Sequence, residues 1–80
     1  MNIVFLIIKV IDFKYNFLLK KKQSAICRID GILKNNSKIR LVAYNETADR
    51  CMKILKKGQY YFIQGQLSIE MALIDKIIEI

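Results

Sequence analysis

One segment of this chain has the spacing of a helix, and the segments around it alternate as strands do. Its apolar residues recur at intervals of three and four positions; they are Ala48, Cys51, Met52 and Leu55. That interval predicts an amphipathic helix with one inward stripe. Asn45 is the predicted N-cap, and Gly58 is the predicted left-handed residue that ends the helix after Lys56 and Lys57. A single helix embedded among strands limits the folds open to a short chain.

Four other segments are predicted strands. They span residues 2–12, 24–33, 38–44 and 59–67. The first is dense in β-branched residues and is predicted to be covered on both sides. Gly31, inside the second, indicates a bulge or bend. In the fourth, Tyr61 and Ile63 share one face and Tyr60 and Phe62 the other, and we expect these aromatic rings in the core and at an interface.

The last segment, residues 68–80, is compatible with two structures. Leu73, Ile74, Ile77 and Ile78 have helical spacing, while the closing residues 76–80 would form a short strand. We favour a final strand. The chain then has five strands with one helix before the fourth, which is the order of elements in an OB-fold, a mainly β, five-stranded Greek-key barrel. One OB-fold domain over residues 1–80 is the resulting prediction.

The predicted third strand carries two cations and an aromatic ring on one face. Alternation places Lys38, Arg40, Val42 and Tyr44 together. Such a face can pair with phosphates and stack on bases. Alternatively, Tyr44 only flanks a solvated charged face, and this strand alone does not decide between the two.

The charge of the chain points to an anionic partner. Its 80 residues hold 14 Lys and Arg against 7 Asp and Glu, a net charge of +7. That balance favours nucleic acid or an anionic membrane face, although solubility or codon bias would also explain it. The run Lys20–Lys22 is either a solvated turn or a phosphate contact. Because a domain of this size buries only about 60–65% of its unfolded surface, we expect a homo-oligomer, dimer or tetramer.

The residue types exclude several functions. The chain has no His, and the spacing of Cys27 and Cys51 matches no metal site, so we expect buried free thiols and no cofactor. No paired carboxylates, Gly-rich phosphate loop or thiol–base pair indicates catalysis, and we expect no enzymatic activity. The apolar run Ile3–Ile8 is far shorter than the ~20 residues of a membrane span, so neither a membrane partner nor secretion is expected.

Residues 40–67 contain a motif that spans a strand, the helix and the next strand. Its residues are Ala48-Asp49, Leu55, Lys57-Gly58 and Gln64-Gly65-Gln66-Leu67. The motif resembles that of the bacterial-type single-stranded DNA-binding protein family, which has a strand ending in an aromatic residue, a helix of the pattern A-[DE]-x-x-x-x-x-L-x-K-G, and a strand closing in [EQ]-G-x-L. The resemblance implies an OB-fold that binds single-stranded DNA without catalysis and with little sequence specificity. It also implies that a side chain at Gly65 would crowd the adjoining strand.

The resemblance carries over few binding residues. Tyr44 matches the aromatic residue that stacks on a base, Arg40 matches a basic residue on the same face, and Lys38 stands where the family often has tryptophan. We add three further cations to these residues. The candidate nucleic-acid-binding residues are then Tyr44, Arg40, Lys38, Arg28, Lys21 and Lys22. The family's long hairpin between the last two strands and its acidic C-terminal tail are not matched. We therefore expect a lower affinity per subunit than in a longer relative.

Two alternatives stay open, and composition suggests a location. OB-folds bind RNA as well as DNA, so the ligand could be single-stranded RNA. Alternatively, the chain is a degenerate OB-fold subunit that has kept the barrel without the binding surface.

The chain is rich in Ile, Lys and Asn and has no Pro, which is the composition that A/T-rich codons encode. In this it resembles small relatives encoded in algal plastid genomes, so we expect a plastid location and a part in DNA replication or repair.

Overall fold

The computed structural model describes residues 2–19, 23–68 and 71–80. Its elements are β1 (Ile3–Leu19), β2 (Gln23–Ile32), β3 (Lys38–Tyr44), α1 (Asn45–Ile54), β4 (Tyr60–Leu67) and β5 (Ala72–Glu79). The strands form a closed barrel in the order β1-β2-β3-β5-β4. Paired strands are antiparallel except β3 and β5, which are parallel. The expected mainly β OB-fold, with a helix between the third and fourth strands and a strand in the tail, is confirmed.

β1 differs most from its prediction. It does not end at Asp12 but continues to Leu19, pairing first with β4 and then with β2. A register shift between Val10 and Asp12 interrupts its pairing with β2, as a β-bulge does. Within a single chain, the prediction that this strand is covered on both sides was wrong, because a closed barrel has one interior and buries one face of each strand. Ile8 is fully buried, while Phe5 on the other face is 62% exposed.

Alternate residues from every strand fill the barrel interior. The buried strand residues are Ile8, Val10, Ala25, Cys27, Ile29, Leu41, Ala43, Tyr61, Ile63, Ala72, Ile74 and Ile77. α1 packs against β2, β3 and β5 and adds Ala48 and Cys51 to the same cluster. The alternation predicted for the second, third and fourth strands therefore corresponds to the inside and outside of the barrel.

Both ends of α1 lie elsewhere than predicted. Tyr44, not Asn45, occupies the N-cap position, and no side chain caps the helix. Asn45 has a φ of 53°, a left-handed value that asparagine tolerates, so β3 passes directly into the helix. The helix ends at Ile54, and Leu55 is already extended. Gly58 has the predicted left-handed φ, 85°, but in the turn that follows.

α1 buries a narrower stripe than its spacing predicts. Met52 was expected to face inward, yet it is 54% exposed. The buried residues of the helix are Ala48 and Cys51, with Ile54 partly buried against the core, and Leu55 enters the core only after the helix has ended. Among the residues that the structure describes, no helix is long and apolar enough to cross a membrane.

The buried Tyr61 joins β4 to the end of α1. Its hydroxyl accepts a hydrogen bond from the N–H of Lys56 (2.8 Å) and donates one to the carbonyl of Ile54 (2.7 Å). We expect Tyr61→Phe to lower the free energy of unfolding by about 1–3 kcal/mol, because it leaves both backbone groups without that partner. Urea unfolding measures this. Tyr60→Phe on the exposed face is the control and should change stability by less than about 0.5 kcal/mol. Equal stability of the two variants would contradict the structural role of the hydroxyl.

The two strand glycines differ in what surrounds them. Gly65 lies at a register shift between β4 and β5, where a Cβ would overlap the carbonyl oxygen of Leu73. The expectation that a side chain would crowd the adjoining strand is therefore confirmed. At Gly31 a Cβ would come within 3.1 Å of the Ile8 Cδ1 atom, the end of a side chain that can move. The bulge or bend was predicted in the second strand at Gly31, but the register shift lies in β1 instead, between Val10, which pairs with Gly31, and Asp12.

Candidate nucleic-acid interface

The register of β2 and β3 brings predicted site residues together on the outside of the barrel. The opposed pairs are Ile26 with Tyr44, Arg28 with Val42, Asp30 with Arg40, and Ile32 with Lys38. Opposed residues project from the same face, with Cβ atoms about 4.5–5.5 Å apart. Four of the six candidates, Arg28, Lys38, Arg40 and Tyr44, therefore share one surface. We call the surface formed by these eight residues the β2–β3 face.

A groove of about 430 Å³ lies beside Tyr44 on this face. Val42 lines it and is only 5% exposed, although it faces outward. Ile26 and Met71 add further apolar lining, and Arg28 adds a charge. The Tyr44 ring is 48% exposed, so part of it is open to a ligand. An open aromatic ring beside an apolar groove can stack with a base.

A second groove, of about 630 Å³, adjoins the first on the same face. Arg40 and Met71 line both grooves. Lys38 lines the second one together with Ile11 and Leu67, two largely exposed apolar side chains. The two grooves form a path along β3 with cations beside apolar walls, which suits a chain of alternating phosphates and bases.

The cations of the β2–β3 face are available to an anion. The Arg40 guanidinium lies 4.0 Å from the Asp30 carboxylate, and both side chains are largely exposed. A pair of this kind contributes at most about 1 kcal/mol, so Arg40 can exchange its partner for a phosphate. Arg28 and Lys38 form no ion pair with any residue that the structure describes.

A second carboxylate beside this face, Asp12, is held by a lysine. The Lys57 ammonium lies 3.3 Å from its Oδ1 atom, and the N–H of Phe13 donates a hydrogen bond to the same oxygen. The hydrogen bond from Lys57, supported by that from Phe13, keeps the pKa of Asp12 below its ordinary value. Asp12 therefore stays charged, and the Lys57 ammonium partly balances that charge.

The sequence did not reveal every residue of this surface. Asp30, which is not among the six candidates, lies inside β2 opposite Arg40. Its position two residues after Arg28 is the sequence signal that both project from the same face of the strand. Met71 precedes β5 and lines the grooves because β5 pairs in parallel with β3. Lys14 also lines a groove and lies in the second half of β1, where the sequence shows no clear alternation of apolar and polar residues. No local signal identifies either residue.

Two of the six candidates, Lys21 and Lys22, lie outside the described residues. Their contact with a phosphate therefore stays a prediction. The grooves described above depend on neither of them, since their lining comes from β1, β2, β3, the end of β4 and Met71.

The two cysteines lie inside the barrel rather than on the β2–β3 face. Both are buried free thiols, as expected. A hydrogen bond with the Cys27 thiol, together with burial, raises the pKa of Cys51, so this thiol stays protonated. Within residues 2–19, 23–68 and 71–80, no three His, Cys, Asp or Glu side chains are grouped so that they could hold a metal ion.

Comparison with known proteins shows a shared fold. The sequence matches no protein-family model and no curated protein. Its structure is similar to the crystal structure of the SSB domain of a protein from Synechococcus sp., with a TM-score of 0.82 and 12% sequence identity. The match covers 96% of this chain and 93% of that chain. The likeness thus extends over nearly the whole barrel and shows that the two chains have the same fold.

Proposed function

We propose that this protein binds single-stranded nucleic acid on the β2–β3 face, with DNA as the favoured ligand. It does so without catalysis or a cofactor and with little sequence specificity. The observation that carries the proposal is the exposed ring of Tyr44 beside an apolar groove, in one surface with Arg28, Arg40 and Lys38. The fold shared with an SSB domain supports it. The resemblance of residues 40–67 favours DNA over RNA.

Binding divides into an electrostatic part and a stacking part. Arg28, Arg40 and Lys38 neutralise phosphates and release counterions, so affinity falls as salt rises. Tyr44 stacks on one base, and stacking tolerates every base because each has a π-face. A duplex keeps its base faces stacked on each other, so it offers phosphates but no face to Tyr44. The result is a preference for single strands without recognition of sequence.

Titration of the ¹⁵N-labelled protein with oligo-dT, followed by backbone amide NMR, tests where the ligand lies. We expect the largest shift changes at β2 and β3, around Arg28, Arg40 and Tyr44. The exposed side of α1 around Met52 should change little and provides the internal control. Changes centred on α1, or spread evenly over the surface, would overturn the proposed site.

A second candidate function is that of a structural subunit, and one surface favours self-association. Outward residues of β1, β4 and β5 form an exposed apolar face made of Ile3, Phe5, Ile7, Phe62 and Ile78. Their positions are contiguous, since Phe62 pairs with Ile7 on one side and with Ile78 on the other. The rings of Phe5 and Phe62 are stacked with centroids 6.0 Å apart. We propose that a second copy of this chain covers this apolar face.

Self-association is expected to depend on Phe5. Phe5→Asp should convert the dimer or tetramer to a monomer, because the interface would then bury an unpaired carboxylate. Size-exclusion chromatography with light scattering measures this. Met52→Asp is the matched control, since Met52 is exposed to a similar extent on α1 and lies outside the apolar face. A monomeric wild-type protein would contradict the proposal. A change in mass with both variants would contradict the choice of interface.

A plastid location and a part in DNA replication or repair remain proposals supported by composition and resemblance. Immunolocalisation in the source organism, with a plastid marker, tests the location. Signal that overlaps the plastid DNA supports both proposals. Signal confined to the cytosol would overturn them.

A further inference from the structure

A third groove adjoins the β2–β3 face at Ile32, and Tyr44 does not line it. Its volume is about 490 Å³, and its lining includes Ile7, Lys9, Lys34, Asn36 and Tyr60. None of the candidates chosen from the sequence lines it. Tyr60 is 52% exposed, slightly more than Tyr44. We call this surface the Tyr60 groove.

One cross-strand row connects the Tyr60 groove to the β2–β3 face. Lys38 pairs with Ile32, Ile32 with Lys9, and Lys9 with Tyr60, so the four residues lie side by side on β3, β2, β1 and β4. Opposed residues project from the same side of a sheet, here the outside. Ile32 lines both the 630 Å³ groove and the Tyr60 groove and forms their common wall.

The Tyr60 groove has the charge that a phosphate chain needs. Lys9 and Lys34 line it, and Lys38 stands at its entrance beyond Ile32. No carboxylate lines it among the described residues. Neither Lys9 nor Lys34 forms an ion pair within the part of the chain that the structure describes. An exposed aromatic ring between free cations repeats the chemistry of the β2–β3 face.

We propose that the Tyr60 groove is a second stacking subsite for the same single strand. This inference rests on the proposed function and adds residues that neither the sequence motifs nor the β2–β3 face contains. The strand runs along β3 from Tyr44 to Lys38, turns across Ile32, and places a base on Tyr60 with its phosphates near Lys9 and Lys34.

The dimensions agree with one continuous path. Tyr44 lies six residue-to-residue steps from Lys38 along β3, which is about 20 Å at 3.3–3.4 Å per step, and three strand spacings add about 14 Å. A stacked strand of about ten nucleotides at 3.4 Å each covers that distance. This length falls within the roughly 4–16 nucleotides that one OB-fold covers.

The groove suits a nucleic acid better than a second copy of this chain. It touches the apolar face at Ile7, but its other lining includes two lysines and the polar Asn36. A symmetric contact between two such grooves would bring lysines of like charge together, which is unfavourable. A polyanion gains from the same charges.

Two probe lengths separate the Tyr60 groove from the β2–β3 face. We expect Tyr60→Ala to weaken binding of an oligo-dT of about 16 nucleotides by about five-fold or more, the loss of one stacked base. Binding of an oligo-dT of about 4 nucleotides, which one aromatic site can hold, should not change. Tyr60→Phe keeps a ring and should bind the long probe as the wild type does. Met52→Ala is the exposed apolar control.

A charge variant tests the phosphate contact independently. Lys9→Gln should reduce the slope of log affinity against log salt for the long probe by about 0.7. Lys53→Gln on α1 removes the same charge from another surface and should leave the slope unchanged. Equal effects of the two variants would show that only the net charge matters and would overturn the inference.

Tyrosine emission reports on Tyr60 directly. In the Tyr44→Phe variant the long oligo-dT should still quench tyrosine emission through Tyr60, and adding Tyr60→Phe should abolish the quenching.

The inference fails while the proposed function stands if Tyr44→Ala lowers the affinity for both oligo-dT probes and Tyr60→Ala lowers the affinity for neither. If Tyr60→Ala changes the oligomeric mass, the groove is a self-interface and the inference also fails. Absence of any strand preference in the wild type would instead remove the proposed function on which the inference rests.

Discussion

Gly65→Ala is expected to destabilise the barrel more than the same substitution at Gly31, the other strand glycine. The added Cβ would overlap the carbonyl oxygen of Leu73 and lie 3.1 Å from its carbonyl carbon. Both are backbone atoms of β5, so the hairpin itself would have to move. Overpacking of this kind costs about 3 kcal/mol or more, which lowers the melting temperature of a domain this small by about 12–24 °C. Thermal unfolding followed by circular dichroism measures the change.

Gly31→Ala is the matched control for this prediction. It adds the same methyl group to the barrel interior, but its nearest contact is the mobile end of the Ile8 side chain. We therefore expect a clearly smaller loss of stability. A wild-type melting temperature for Gly65→Ala would contradict the close approach of β4 and β5 at this position. Equal melting temperatures for the two variants would contradict it as well.

The largest expected effect on binding comes from Tyr44→Ala. Within the described residues, Tyr44 is the exposed aromatic side chain that lines the 430 Å³ groove of the β2–β3 face. Removing it should cost about 1–3 kcal/mol, a loss of about five-fold to 150-fold in affinity for oligo-dT. Fluorescence anisotropy of a labelled oligonucleotide measures this, and Tyr44→Phe should retain most of the affinity.

Two controls separate lost stacking from lost structure. Tyr44 precedes α1 and its side chain makes no capping hydrogen bond, so Tyr44→Ala should melt close to the wild type. Met52→Ala removes a similarly exposed side chain on α1 and should bind normally. Wild-type affinity in Tyr44→Ala would remove the stacking part of the mechanism. Equal weakening in Met52→Ala would show that the effect is not local.

Strands with strict alternation were predictable because a barrel gives each strand one inside and one outside. Tyr61 and Ile63 could be separated from Tyr60 and Phe62 on this ground alone. The strand at residues 2–12 was predicted correctly, but its burial could not be, since an unbroken apolar run looks the same whether one face or both faces are buried. Met52 was placed wrongly because the helix period does not show that the chain becomes extended at Leu55.

The site was predictable only along one strand. Lys38, Arg40 and Tyr44 share a face by alternation, and the structure places them as that pattern indicates. Joining Arg28 and Asp30 to them requires the register between β2 and β3. The Tyr60 groove requires the register of four strands, so no pattern within one segment could reveal it.

The preference for single strands over duplex is the central claim, and one titration tests it directly. Anisotropy of a labelled oligo-dT and of a duplex of equal length would be measured with the wild-type protein across a range of salt concentrations. We predict tighter binding of the single strand throughout, with log affinity falling against log salt at a slope of about −2 or steeper, since the three cations of the β2–β3 face alone give about −2. Equal affinity for the two nucleic acids at every salt concentration would contradict the claim and leave a basic barrel that recognises charge alone.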